Sequence, residues 1–178
     1  YRQGRYPEAE DVLGRVLAQQ RLILGADHVD VFSSAVRLSW VLIEDARYAD
    51  AEELLVDILE RQRRVLGEEH RDTATTMNSL AVVYSDQKRY GEAQALHSEV
   101  LAIRSRELGP SDPDTLKSMT NLAILSYYQG RLGDAAALFE DVLDIQTETL
   151  GPDHPVTHQV GSGIDAQYDF ILLLFHLA

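Results

Sequence analysis

Four short stretches decide the fold of this chain: LGADH (24–28), LGEEH (66–70), LGPSDP (108–113) and LGPDHP (150–155). Each stretch begins 42 residues after the one before it. Sequence self-similarity at a fixed period of about 20–50 residues is the signature of a repeat architecture, in which neighbouring copies stack to bury their apolar faces. The sequence therefore predicts a solenoid and not a single globular core.

The half of each repeat that precedes a Leu-Gly pair has the pattern of an amphipathic helix. In the copy that ends at Leu66, one helical face carries the apolar residues Ala51, Leu54, Leu55, Ile58 and Leu59. We call this element the second helix of the repeat. The glycine after each leucine predicts where the second helix ends, because glycine adopts the left-handed conformation without steric cost.

The half that follows the glycine predicts the first helix of the next repeat. Asp112-Pro113 has the features of a helix start, because proline suits the first helical position and Asp can accept hydrogen bonds from free N–H groups. Small residues recur on both helices, namely Ser39, Ala81 and Ala123 on the first and Ala51, Ala93 and Ala135 on the second. Small residues that face each other permit two helices to cross closely.

This pattern of small residues, with an aromatic at Tyr84 and turn aromatics at Tyr48 and Tyr90, resembles the tetratricopeptide repeat. The 42-residue period with LGPDHP between units is similar to the kinesin light chain type of that repeat. The resemblance implies an all-α, right-handed superhelical solenoid of antiparallel helix pairs. About three complete repeats are expected, with a partial repeat at each end.

The period divides the chain into an array over residues 1–160 and a departing tail over 161–178. Within the array we expect a partial repeat at 1–24, repeats at about 27–66, 69–108 and 111–150, and a partial first helix at 153–160. The chain starts at the turn before a second helix, so we expect it to be an excerpt from a longer array. The tail opens with Gly-Ser-Gly, which predicts a flexible joint before an apolar helix. An interface is expected at its residues Tyr168, Phe170, Ile171, Leu172, Leu174 and Phe175.

The resemblance also implies a concave groove, lined by the first-helix residues that do not pack within the helix pair. The expected lining is Ser33, Val36, Arg37, Trp40, Ile43 and Glu44 in the first complete repeat, Thr75, Asn78, Ser79, Val82 and Ser85 in the second, and Lys117, Thr120, Asn121, Ile124, Tyr127 and Tyr128 in the third. The groove charges are mixed, because Glu44 and Asp86 oppose Arg37 and Lys117. We therefore expect a protein or peptide partner with apolar or aromatic anchors. A lone Trp on a helix serves equally often as a packing residue and as an anchor, and Trp40 is open to both interpretations.

Composition excludes several classes of partner and of chemistry. A formal net charge of -13 and a pI near 4.7 argue against nucleic acid, since phosphate binding depends on Lys and Arg. The chain has no cysteine, which removes thiol chemistry and fits a cytoplasmic location. No signal-peptide pattern opens the chain, and the apolar run at 170–175 is too short to span a bilayer.

No residue pattern predicts catalysis or a cofactor. His28, His70 and His154 recur in phase at a helix entrance, so we expect a capping role for them. His154 and His158 are spaced for one helix face, but no third metal ligand lies near them in the sequence. The sequence contains neither a Gly-rich phosphate loop nor a serine elbow. We therefore expect a protein that is not an enzyme and that needs no metal.

Three functional hypotheses stay open at this level. The first is a protein-interaction scaffold that holds a segment in its groove. The second is a self-assembling array in which apolar ends join copies of the chain into a homo-oligomer. The third is an autoinhibited regulatory domain of a larger signalling protein, with the tail as cap or groove occupant.

Overall fold

The computed structural model describes residues 6–151, and every regular element in that range is an α-helix. The helices are α1 (Tyr6–Leu24), α2 (Val29–Glu44), α3 (Tyr48–Val65), α4 (Arg71–Asp86), α5 (Tyr90–Glu107), α6 (Pro113–Tyr128) and α7 (Leu132–Leu150). The expected partial helix at 153–160, the Gly-Ser-Gly joint and the tail interface at 168–175 lie outside the described residues.

The chain divides into two compact units, residues 1–103 and 104–178, and the division falls within α5. In the first unit α2 packs against α1 and α3, while α4 packs against α3 and also contacts α2. In the second unit α6 packs against α7. Within each repeat a short turn joins the two helices, and short turns of this kind connect antiparallel neighbours. The all-α architecture of paired helices predicted by the 42-residue period is confirmed.

The core lies between helices, as the apolar pattern predicts. The small residues expected at the close contacts, Ser39, Ala51, Ala81, Ala93, Ala123 and Ala135, all have 0% exposure. Around them in the first unit, Leu55, Met77 and Val83 are likewise fully buried. A fully buried alanine leaves no room for a larger side chain, so these positions fix how closely the helices approach.

The first helices begin with side-chain caps. The Nδ1 atoms of His28 and His70 accept hydrogen bonds from the backbone N–H groups of Asp30 and Asp72, at 3.2 and 3.1 Å. In α6 the Asp112 carboxylate does the same for the Asp114 N–H at 2.8 Å. These bonds satisfy N–H groups that have no partner inside the helix. The predicted capping role is confirmed for His28 and His70, whereas His154 lies outside the described residues.

The turn within each repeat places one residue in the left-handed region. Its φ is 58° at Ala46, 62° at Lys88 and 75° at Gly130, three positions in the same register. Residues with a Cβ atom adopt this conformation at a cost of about 1–2 kcal/mol, which glycine avoids. Two of the three turns are therefore strained.

An arginine in the same turn links successive repeats of the first unit. The Arg89 guanidinium donates to Glu52 at 2.7 Å, in the preceding repeat, and to Glu92 at 2.6 Å, in its own. It also lies 4.1 Å from the ring centroid of Tyr84. Arg47 makes the equivalent hydrogen bonds to Glu10, in the preceding repeat, and to Asp50, in its own. The guanidinium therefore holds three groups from two repeats at one point.

This arginine changes the acidity of the carboxylates around it. Its hydrogen bond holds the pKa of Glu92 below the ordinary value. Burial acts to raise the pKa of Glu52, but hydrogen bonds from Arg89 and Gln87, with the Arg89 charge, outweigh that effect and lower it. Both carboxylates are therefore more stable in the charged form in the folded protein than in the unfolded chain.

The turn geometry predicts that the same glycine-to-alanine change at two nearby sites will change the free energy of unfolding in opposite directions. Gly130→Ala should lower the free energy of unfolding by about 1 kcal/mol, because φ is positive and only the backbone is strained. Gly133→Ala, in the first turn of α7, should raise it by several tenths of a kcal/mol or more, since alanine is the better helix former. Urea unfolding of both variants measures the difference, and a gain for Gly130→Ala would contradict it.

The arginine link predicts a specific loss of stability in acid. Its contribution is complete above pH 4.5, the ordinary pKa of a Glu carboxyl, and is lost as the pH falls through the lowered folded-state values of Glu52 and Glu92. Arg89→Gln should therefore lower the melting temperature at neutral pH and flatten the decline below pH 4.5. Arg15→Gln serves as the control, because it removes an exposed ion pair in which Arg15 lies 3.7 Å from Asp11. It should change neither the melting temperature at neutral pH nor its decline in acid.

Candidate functional site

The predicted groove residues of α2 lie largely on its outer surface. Ser33, Arg37, Trp40 and Glu44 are exposed and Val36 is half-buried. Ile43 is buried at 7% exposure, so it adds little surface. The exposed face of α2 therefore carries one aromatic ring between two charged side chains of opposite sign.

The corresponding face of α4 is less accessible. Thr75, Val82 and Ser85 are half-buried, while Asn78 and Ser79 are buried at 8% and 1% exposure. The Ser79 hydroxyl donates to the Thr75 carbonyl at 3.2 Å, so its hydrogen bond is made within α4. The surface that α4 offers is therefore narrower than the sequence predicts.

A pocket of about 280 Å³ lies within the first unit, between these faces of α2 and α4. It brings together five of the predicted residues, namely Ser33, Val36, Arg37, Trp40 and Thr75. The other predicted residues do not line it. Three lining residues were not predicted, namely Phe32, Gln62 and Asp72. A sequence signal existed for Gln62, because a glutamine interrupts the apolar face of the second helix in the same register at Gln20 and Gln146.

Trp40 forms one wall of this pocket. Its exposure of 39% is high for so large an apolar side chain, and part of that side chain lines the pocket. A large aromatic with one face packed and one face open can contribute much of the binding energy of an interface. Trp40 is therefore exposed to solvent and also forms part of the pocket wall.

Charge is distributed unevenly along the first-unit surface. At the pocket, Arg37 and Asp72 carry opposite charges. At the other end, Glu44 and Asp86 close the C-termini of α2 and α4, where the helix dipole is also negative. Burial, and second the negative charge of Glu44, raise the pKa of Asp86 above its ordinary value. This end of the surface therefore disfavours acidic ligands.

In the second unit, α6 carries the remaining predicted residues. Lys117 and Tyr128 are exposed, whereas Thr120, Asn121, Ile124 and Tyr127 are half-buried. Tyr127 packs on the cluster of Ala123 and Phe139, and its ring meets that of Tyr128 edge to face at 5.8 Å between centroids. An aromatic pair thus closes the C-terminal end of α6.

Within residues 6–151, no group of three or more His, Asp or Glu side chains is placed to hold a metal ion. None of the described helices combines the length and the apolar character that crossing a bilayer requires. The pair His154 and His158 lies outside this range.

The family profile described as tetratricopeptide repeat matches residues 1–63, 41–104 and 72–148. Two crystal structures of nearly identical TPR-like repeats of the kinesin light chain type from Podosopora anserina, one of them a point variant, are similar at a TM-score of 0.78 and 26% identity. They cover 98% and 97% of this chain, and 85% of their own chains. BtubC from P. vanneervenii shares the fold at a TM-score of 0.72 and 17% identity, over 98% of this chain and 76% of that one. Among curated proteins, none matches the sequence.

The raised pKa of Asp86, the last residue of α4, predicts that Asp86→Asn stabilises the protein at neutral pH. The folded state favours the protonated carboxyl, so the contribution of Asp86 to stability is present below pH 3.8 and is lost as the pH rises through its folded-state pKa. The gain from Asp86→Asn in urea unfolding should therefore be seen at pH 7 and disappear in acid. Glu60→Gln, on the exposed side of α3, is the matched control. An equal gain at both pH values would contradict this assignment.

Proposed function

Because the chain belongs to the tetratricopeptide repeat family, we propose that it is a non-catalytic scaffold that holds a segment of a partner protein against the first helices α2 and α4 of its first unit. Repeats of this family generally act as protein–protein interaction scaffolds. The observation that carries the proposal is the pocket between α2 and α4, with Trp40 partly exposed in its wall. The proposal includes a cytoplasmic location, which the absence of cysteine supports.

The partner chemistry follows from the side chains that reach the surface. Val36 and Trp40 supply apolar contact, and burial of such surface stabilises a complex by roughly 25 cal/mol per Å² before the costs of association. The carboxylates of Glu44 and Asp86 repel an acidic segment. A segment with an aromatic or aliphatic anchor and no cluster of acidic residues therefore fits this surface best.

The scaffold proposal predicts that Trp40→Ala weakens binding strongly. Peptides that bind the wild-type chain would be selected from a random display library, and their affinities measured for each variant by calorimetry. Truncation of an aromatic hot spot costs about 2 kcal/mol or more, which corresponds to at least about 30-fold in affinity. Val65→Ala removes an apolar side chain that is 47% exposed at the end of α3 and should change affinity less than about twofold. Equal affinities for wild type and Trp40→Ala would refute the proposal.

A further inference from the structure

The two helices that flank the pocket each end in a carboxylate. Glu44 is the last residue of α2, and Asp86, one period later, is the last residue of α4. Both side chains are exposed. Within residues 6–151 no ion pair or hydrogen bond joins either carboxylate to a cation, although Lys88 follows Asp86 by only two residues. Both negative charges are therefore open to a cation from outside the chain.

The two carboxylates lie close enough to act on each other. Burial raises the pKa of Asp86 above its ordinary value, and the negative charge of Glu44 raises it further. A carboxyl group whose pKa is raised by folding makes the folded protein less stable when it is charged. A neighbouring cation has the opposite effect, because it favours the charged form. A basic group supplied by a partner would therefore relieve an unfavourable interaction at this end of the surface.

The fold does not require an acidic residue at this position, since Tyr128 occupies the same register at the end of α6. In the second helices α1 and α3, the last turn carries Arg21, or Arg63 and Arg64, which complement the negative end of the helix dipole. The last turns of α2 and α4 contain no basic residue and end in the acids instead. These helix ends therefore carry a negative charge that their own repeat does not balance.

The carboxylates lie a short distance from the pocket along α2. Glu44 follows Trp40 by four residues and Val36 by eight, which is about 6–12 Å along the helix axis. An extended segment covers that distance in about two to four residues. The pocket itself contains one charge of each sign, Arg37 and Asp72. The charge that distinguishes this surface is therefore at its carboxylate end.

We propose that this surface selects a segment in which an apolar anchor and a basic residue are separated by about two to four residues, with the basic side chain bound jointly by Glu44 and Asp86. The anchor occupies the pocket beside Trp40. Arginine suits the carboxylate end best, because its guanidinium presents several N–H donors in a planar fork and its hydrogen bonds to carboxylates are charge-assisted. This inference rests on the proposed groove function and adds the charge of the partner segment.

The test uses synthetic peptides that contain one phenylalanine and, three residues after it, arginine, citrulline or glutamate among serines and glycines. A second set has the same residues in reverse order, so that both chain directions are sampled. Trp40 is the only tryptophan of the chain and lines the pocket, so its fluorescence reports binding to the full chain. In at least one set, arginine should bind about three- to tenfold more tightly than citrulline, which has a similar shape but no charge. Glutamate should bind more weakly than both.

Variants of the chain separate the carboxylates from the rest of the surface. The double variant Glu44→Gln and Asp86→Asn removes both charges and should abolish the preference for arginine over citrulline. Both side chains are exposed, so the fold should be kept. Glu60→Gln removes one carboxylate from the exposed side of α3 and should leave the preference unchanged, which controls for the net charge of the chain.

Equal binding of the arginine and citrulline peptides in both sets overturns the inference, as does a preference for glutamate. A preference for arginine that survives in the double variant overturns it as well, and so does absence of binding for all the peptides. The scaffold proposal fails separately. If peptides selected from the library lose affinity with Trp40→Ala but arginine is not preferred, the scaffold stands and the basic site falls. If arginine is preferred through the two carboxylates but selected peptides tolerate Trp40→Ala, the basic site stands and the Trp40-centred scaffold falls.

Discussion

The close contact of small side chains between paired helices is the constraint on which the rest of this structure depends. Ser39 and Ala51 are completely buried, and the same holds one and two periods later. Because no larger side chain fits there, the backbones of the first and second helices approach closely and leave the opposite face of the first helix uncovered. That uncovered face carries Trp40, and the pocket forms where α2 and α4 present it side by side.

Cohesion along the array comes from interactions that repeat with the same period. Arg47 and Arg89 each join a turn to the repeat before it, and a histidine caps each first helix of the first unit. Each contact is local and modest in energy, as expected for a solenoid in which stability is approximately a sum over repeats and interfaces. Exposed residues of the first helix α2, such as Arg37 and Glu44, take no part in these contacts.

Much of the fold was predictable because the relevant physics is local. The 42-residue period, the small residues and the Leu-Gly stops follow from sequence order alone, and the structure confirms the helices that they predict. The left-handed backbone at Ala46 and Lys88 was not predicted, since neither residue type favours it. The glycine at the same register position in the third repeat, Gly130, was the sequence signal that could have indicated a left-handed residue there.

The pocket was predictable only in part, because it depends on how three helices are rotated against each other. Helix periodicity identified Trp40 and Val36 on the outer face of α2. It could not show that Gln62, from a second helix, reaches the same space, nor that Ser79 turns inward. Such residues are found by packing and not by spacing.

The central claim is that this chain recognises its partner through the exposed faces of its first helices. The most direct measurement is a map of amide chemical-shift changes when a selected peptide is added to the isotopically labelled chain. The account predicts that the changes are concentrated on α2 and α4, with the largest around Trp40, and that the outer face of α3 is unaffected. Changes concentrated on α1 or on the second helices would contradict it.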